Sequence, residues 1–97
     1  MEFLLAKIQA HLEQHFGAKK NVAFRQEPRE WTDVIACYYK RNPLGMIYIE
    51  NKQLNFDVNC AVEKYSDKEI LELKGIVHNI AFVAERVAKG QENETAS

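Results

Sequence analysis

The sequence predicts an α+β domain of two layers: an antiparallel sheet of four to five strands with an N-terminal and a C-terminal helix packed on one face. Three observations carry this. Both ends of the chain show helical periodicity, the middle shows strand-like runs joined by short connections, and the order is helix, strands, helix. Short connections between the last three strands imply an antiparallel meander.

The first helix is expected over Glu2 to Phe16, where Leu4, Leu5, Ile8, Leu12 and Phe16 share one face and Gly17 supplies a stop. A strand follows over Asn21 to Gln26. Pro28 should break it, leaving Glu27 to Trp31 as a loop. Thr32 to Arg41 is rich in β-branched and aromatic residues and is the strongest strand signal. The stretch Arg41-Asn42-Pro43-Leu44-Gly45 reads as a turn, Met46 to Glu50 as the next strand, and Asn51-Lys52-Gln53 as a tight connection. From Leu54 to about Val62, Leu54, Phe56, Val58, Cys60 and Val62 alternate with Asn55, Asp57, Asn59 and Ala61, as in a strand with one buried face.

The closing helix, Asp67 to Lys89, has the clearest signals. Ser66 with Glu69 forms a capping box, Tyr65 can pack on Ile70 as a hydrophobic staple, and Gly90 stands where a left-handed residue ends a helix. Ile70, Leu73, Val77, Ile80, Ala84 and Val87 make a seven-residue repeat, with Ile76 and Val83 as a second apolar line. The domain spans residues 1–90, and the polar residues 91–97 are expected to be a disordered tail.

The chain is 46% hydrophobic and 28% charged, with a formal net charge of −1. That is a globular composition, not that of a dedicated nucleic-acid binder. No signal peptide is visible, and no apolar run approaches the roughly 20 residues of a membrane span. With Cys37 and Cys60 in apolar runs, a cytoplasmic protein with reduced thiols is expected.

Three stretches resemble the GAF family of small sensory domains: Pro43-Leu44-Gly45-Met46-Ile47-Tyr48-Ile49-Glu50, then Tyr65-Ser66-Asp67-Lys68-Glu69-Ile70-Leu71-Glu72-Leu73, then Ile80-Ala81-Phe82-Val83-Ala84-Glu85-Arg86. The Leu4 to Phe16 helix looks like the family's usual first helix. The resemblance implies a GAF-like or PAS-like architecture and, through it, small-molecule sensing. No ligand-binding residue carries over. Only Asn59 to Tyr65 separate the last strand from the helix, where family members spend many residues on a pocket roof.

The candidate sites are few. Both faces of the central strands are apolar: Val34, Ala36 and Tyr38 against Ile35, Cys37 and Tyr39, and Met46 and Tyr48 against Ile47 and Ile49. Two helices cover one face, so the other must meet a second chain, a ligand or the loop around Trp31. Trp31, Tyr38, Tyr48 and Met46 are therefore the candidate ligand or partner surface.

Gly75 lies inside the last helix, where it costs about 1 kcal/mol relative to alanine. Close approach of a partner backbone would explain it, so Gly75, Ile76 and Val83 are the candidate dimer helix. His11 and His15, four apart, lack a third ligand, so no metal or other cofactor is expected. His78 is expected to be a partly buried packing residue. Lys19, Lys20, Arg25, Arg29, Lys40 and Arg41 lie among Phe24, Trp31, Tyr38 and Tyr39, the mixture single-stranded nucleic acid needs, but Glu27, Glu30 and Asp33 are interspersed.

No catalytic constellation or Gly-rich phosphate loop is present. The expectation is a non-catalytic regulatory or protein-interaction domain acting as a homodimer. A small-ligand sensor and a single-stranded nucleic-acid binder are the alternatives.

Overall fold

A computed structural model describes residues 2–17 and 21–90. Lys19, Lys20 and the tail 91–97 lie outside the described residues. The elements are α1 (Glu2–His15), β1 (Val22–Pro28), β2 (Asp33–Tyr39), β3 (Asn42–Glu50), β4 (Gln53–Val58), a short 3₁₀ turn (Val62–Lys64) and α2 (Asp67–Ala88). The four strands form one antiparallel sheet in the order β1-β2-β3-β4.

Both helices lie on one face. Leu5, Ile8, Leu12 and Phe16 of α1 and Leu73, Ile76, Ile80, Ala84 and Val87 of α2 close over Phe24, Ile35, Cys37, Tyr39, Leu44 and Ile47. These strand residues share one side because side chains alternate along a strand.

Two hairpins are tighter than expected. Lys40 and Arg41 have φ of 50° and 70°, and Asn51 and Lys52 have φ of 53° and 63°. Each pair is a two-residue loop of the kind whose twist matches the flanking strands. The expected turn over Arg41 to Gly45 is therefore only its first step, and Pro43, Leu44 and Gly45 belong to β3. Pro43 is tolerated because β4 pairs with β3 only as far as Gly45↔Val58, so Pro43 faces a single neighbouring strand. A register shift between Cys37 and Tyr38 accommodates the extra residue and puts Leu44 into the core. Gly45 must be glycine: an added Cβ would collide with the Asp57 carbonyl oxygen and lie 3.2 Å from the Phe56 ring.

Pro28 does not break β1. It pairs with Asp33 at the end of an edge strand, and the loop is residues 29–32, closed by the Arg29 amide donating to the Thr32 carbonyl at 2.9 Å. β4 ends at Val58, earlier than Val62, and the chain turns through the 3₁₀ segment toward α2.

The α2 start has the expected form. The Glu69 amide donates to Ser66 Oγ at 3.2 Å and the Ser66 amide donates to Glu69 Oε1 at 3.0 Å. Tyr65, ahead of the cap, packs its ring 5.6 Å from that of Tyr39. Gly90 ends the helix at φ 71°. The buried line differs from the strict repeat, because Ile76 enters the core while Val77 is only half-buried. A helix of 3.6 residues per turn drifts against a seven-residue period, and the 76–80–84 ridge follows that drift.

Candidate functional site

Among the described residues the sheet face away from the helices has no second layer, yet Val34 and Ala36 on it are 0% and 5% exposed. Trp31, in the β1–β2 loop, sets its ring edge-on to Tyr48, with centroids 4.6 Å apart and planes at 83°. Tyr48 donates its hydroxyl to Asp57 Oδ2 at 2.9 Å, and Tyr38 donates to Glu27 Oε2 at 2.6 Å. Arg29 Nη1 donates to the other oxygen of Glu27 at 3.1 Å.

These contacts tune the groups. The Tyr38 hydrogen bond, then Arg29, holds the Glu27 carboxyl below its ordinary value. The hydrogen bonds to Glu27 and Asp57 raise the Tyr38 and Tyr48 phenols. Glu27 is thus held ionised and the Tyr38 and Tyr48 phenols protonated at neutral pH, and each phenol is tied to a carboxylate on a neighbouring strand. Beside Tyr38 lies an open concavity bordered by Arg29, Ala36, Pro43, Met46 and Asp57.

Of the four residues proposed for this surface, Trp31 and Tyr48 are in ring contact, and Tyr38 and Met46 border the concavity. Trp31 is 51% exposed, and Tyr38, Met46 and Tyr48 are half-buried. Sequence reasoning named Arg29 and Glu27 only as charges near the aromatics and Asp57 only as part of an alternation, and assigned none of the three to this surface. The signal for Asp57 was present: once the β3–β4 loop is set at two residues, Met46 pairs with Asp57 and Tyr48 with Asn55. Asp57 is then the diagonal neighbour of Tyr48. Glu27 was assigned to a loop, which concealed its place opposite Val34.

The proposed dimer helix is only partly an outer surface. Gly75 is exposed, with no described residue outside its own turn of helix within 4 Å of an added Cβ, but Ile76 is 2% exposed in the core and Val83 packs against that core. The solvent side of α2 instead presents Leu71 and Phe82, with the Arg86 guanidinium 5.4 Å from the Phe82 ring. His78 is exposed on the same side, contrary to the expected packing role. Beside it runs an apolar groove lined by Val58, Val62, Ile70 and Val77.

The remaining candidates are dispersed. His11 is half-buried, and His15 is exposed with its ring edge against Phe16 at 4.9 Å. Among the described residues no group of three or more His, Cys, Asp or Glu could hold a metal ion. Cys37 is buried, and that burial pushes its thiol up to about 12. Cys60 is a separate, half-buried free thiol. Arg25, Lys40 and Arg41 border a groove beside Tyr38, but Lys40 also pairs with Glu69. Among the described residues no helix is long and apolar enough to cross a membrane.

No family model, curated protein or solved structure matches the chain.

Proposed function

We propose that this chain is a non-catalytic protein-interaction domain that acts as a homodimer and presents the Trp31–Tyr48 face of its sheet to a partner. The observation that carries this reading is the pinned aromatic platform: Trp31, Tyr38 and Tyr48 ordered by Glu27 and Asp57, with Arg29 at the margin. Trp, Tyr and Arg dominate interface hot spots because they bury much area at low entropic cost. Here that cost falls further, since the tyrosine rotamers are already held by hydrogen bonds.

A partner segment offering apolar side chains would settle on Ala36 and Met46, and its peptide groups would meet Arg29 and the two carboxylates. The protein's most buried thiol is held as the inert thiol, which agrees with a non-catalytic role. Small-ligand sensing ranks lower because the concavity is open, with no layer above it among the described residues. Single-stranded nucleic acid ranks lower still, because Glu27 and Asp57 place negative charge beside the rings a base would stack on.

The test is affinity purification from the protein's own host with wild type and Trp31→Ala. A protein recovered by wild type and lost from Trp31→Ala is the expected result. An unchanged set of bound proteins would overturn the role of this face. Quenching of Trp31 fluorescence by single-stranded oligonucleotides, steeply weakened by salt, would favour the nucleic-acid alternative.

A further inference from the structure

The solvent side of α2 carries a second, regular pattern that the core does not use. Lys68, Leu71, Gly75, His78, Phe82 and Glu85 follow one another at spacings of three, four, three, four and three. All six are exposed, Leu71 at 73% and Phe82 at 46%. At about 100° per residue the stripe is centred roughly half a turn from the buried line of Leu73, Ile76, Ile80, Ala84 and Val87. The spacing keeps the six on one face, and what sets that face apart from an ordinary solvated one is two large apolar side chains, Leu71 and Phe82, left open to water.

We propose that two copies of this chain associate through this stripe, α2 against α2, antiparallel about a twofold axis passing between Ile76 and Val77. The inference rests on the homodimer reading above and gives it a geometry. The stripe is self-complementary under that symmetry alone. Running antiparallel with residue 71 opposite residue 82, Leu71 of one copy meets Phe82 of the other, and Gly75 meets His78. At the ends Lys68 meets Glu85, and symmetry makes each of these contacts twice.

A parallel pair would set Lys68 against Lys68 and Glu85 against Glu85, with like charges at both ends of the seam. The charge pattern therefore selects the second copy as occupant and antiparallel as its direction. Gly75 also gains a reason. Among the described residues, nothing outside its own turn of helix lies within 4 Å of an added Cβ, so packing among them does not require glycine there. In the pair, the bare backbone leaves room for the imidazole of His78 from the other copy. Because the stripe points away from the sheet, the two aromatic sheet faces stay outward and free, and the dimer binds a partner bivalently.

Sedimentation equilibrium of the full chain at micromolar concentration tests this, with far-UV circular dichroism to confirm folding. The surface positions of the substitutions keep the variants folded. Wild type should show a species of twice the 11.2 kDa chain mass. Leu71→Glu and Phe82→Glu should each raise the dissociation constant at least about tenfold. Lys68→Glu and Glu85→Lys should each weaken association by roughly tenfold, and combining them should restore it to within about threefold of wild type. A dimer that withstands Leu71→Glu but is split by Met46→Glu would overturn this geometry and leave the homodimer reading standing. Failure of the double charge reversal to recover would overturn the antiparallel register. A wild-type chain that stays at 11.2 kDa throughout would overturn the homodimer itself.

Discussion

On the helix side of the sheet, Ile35, Cys37, Tyr39 and Ile47 are sealed beneath α1 and α2. On the opposite side, Val34 and Ala36 are about as inaccessible, but no helix covers them among the described residues, and the face carries the Trp31–Tyr48 ring pair and the tyrosine–carboxylate bonds. One face is buried by a layer. The other carries a lattice of rings and hydrogen bonds, each partly open to water. A layer excludes solvent cooperatively and holds most of the stability. Rings tied to carboxylates hold little stability, but they keep a large amphipathic area in one arrangement, ready for contact.

The sharpest test of that difference compares two adjacent residues of β3. Ile47→Ala, beneath the helices, should cost about 2–5 kcal/mol in urea unfolding. Met46→Ala, on the open face, should cost less than about 1 kcal/mol, as substitutions at partly exposed positions usually do. Equal losses would mean that the open face is as structural as the core.

A second comparison removes one contact of each kind. Ser66→Ala deletes the cap that starts α2 and should cost about 1 kcal/mol by the same measurement. Trp31→Ala deletes the edge-on ring from the open face, which should cost about 0.5–1.5 kcal/mol and leave α2 as helical as before by circular dichroism.

Gly75→Ala refines the account of α2. In a Leu71→Glu background, where the helix pair is already split, it should raise stability by about 1 kcal/mol, since no described residue beyond its own turn of helix fills the space above Gly75 and alanine is the better helix former. In the wild-type background the gain should shrink, because the close approach of the second copy is hindered.

The smallest effects come from pH. The Glu69 carboxyl is held down at about 2, first by the Lys40 hydrogen bond and then by the Ser66 amide, and this clasp joins α2 to the β2–β3 hairpin. Its folded value lies below its unfolded one. The stability it contributes is therefore present above the ordinary value of 4.5 and is lost as pH falls toward about 2. Glu27 shifts in the same direction on the open face. Melting temperature should decline through this acid window, and Glu69→Gln should flatten the decline. At the other extreme, Cys37 is raised to about 12, so its contribution holds below the ordinary thiol value of 9.0 and fades as pH climbs toward 12. A thiol reagent at neutral pH should modify Cys60 in the native protein and reach Cys37 only on unfolding.

The helices, the α2 cap and the alternation of β2 were legible because each rests on neighbours in sequence: Ser66 with Glu69, Gly90 after the last turn, Ile35 with Cys37 and Tyr39. The antiparallel meander followed from the short connections. The second face was legible as a question, since the unbroken apolar run from Val34 to Tyr39 in β2 demands cover on both sides. Strand ends and clamps were not legible. The Lys40-Arg41 turn contains no glycine, so its left-handed backbone left no mark in composition. Pro43 reads as a breaker until pairing shows that it has only one neighbouring strand.

The amino-acid sequence by itself determined the α+β class, the order of elements and the capped final helix, because these depend on periodicity and local hydrogen bonding. Only the tertiary structure decided which side of α2 is which. Ile76 and Val77 are equally apolar, and the choice between them is made by how a 3.6-residue helix lies across a twisted sheet beside α1. That choice turned Ile76 inward and left Leu71, Gly75 and Phe82 outside. Likewise, only register places the Asp57 and Glu27 carboxylates on the hydroxyls of Tyr48 and Tyr38, since cross-strand neighbours are set by pairing and not by distance along the chain.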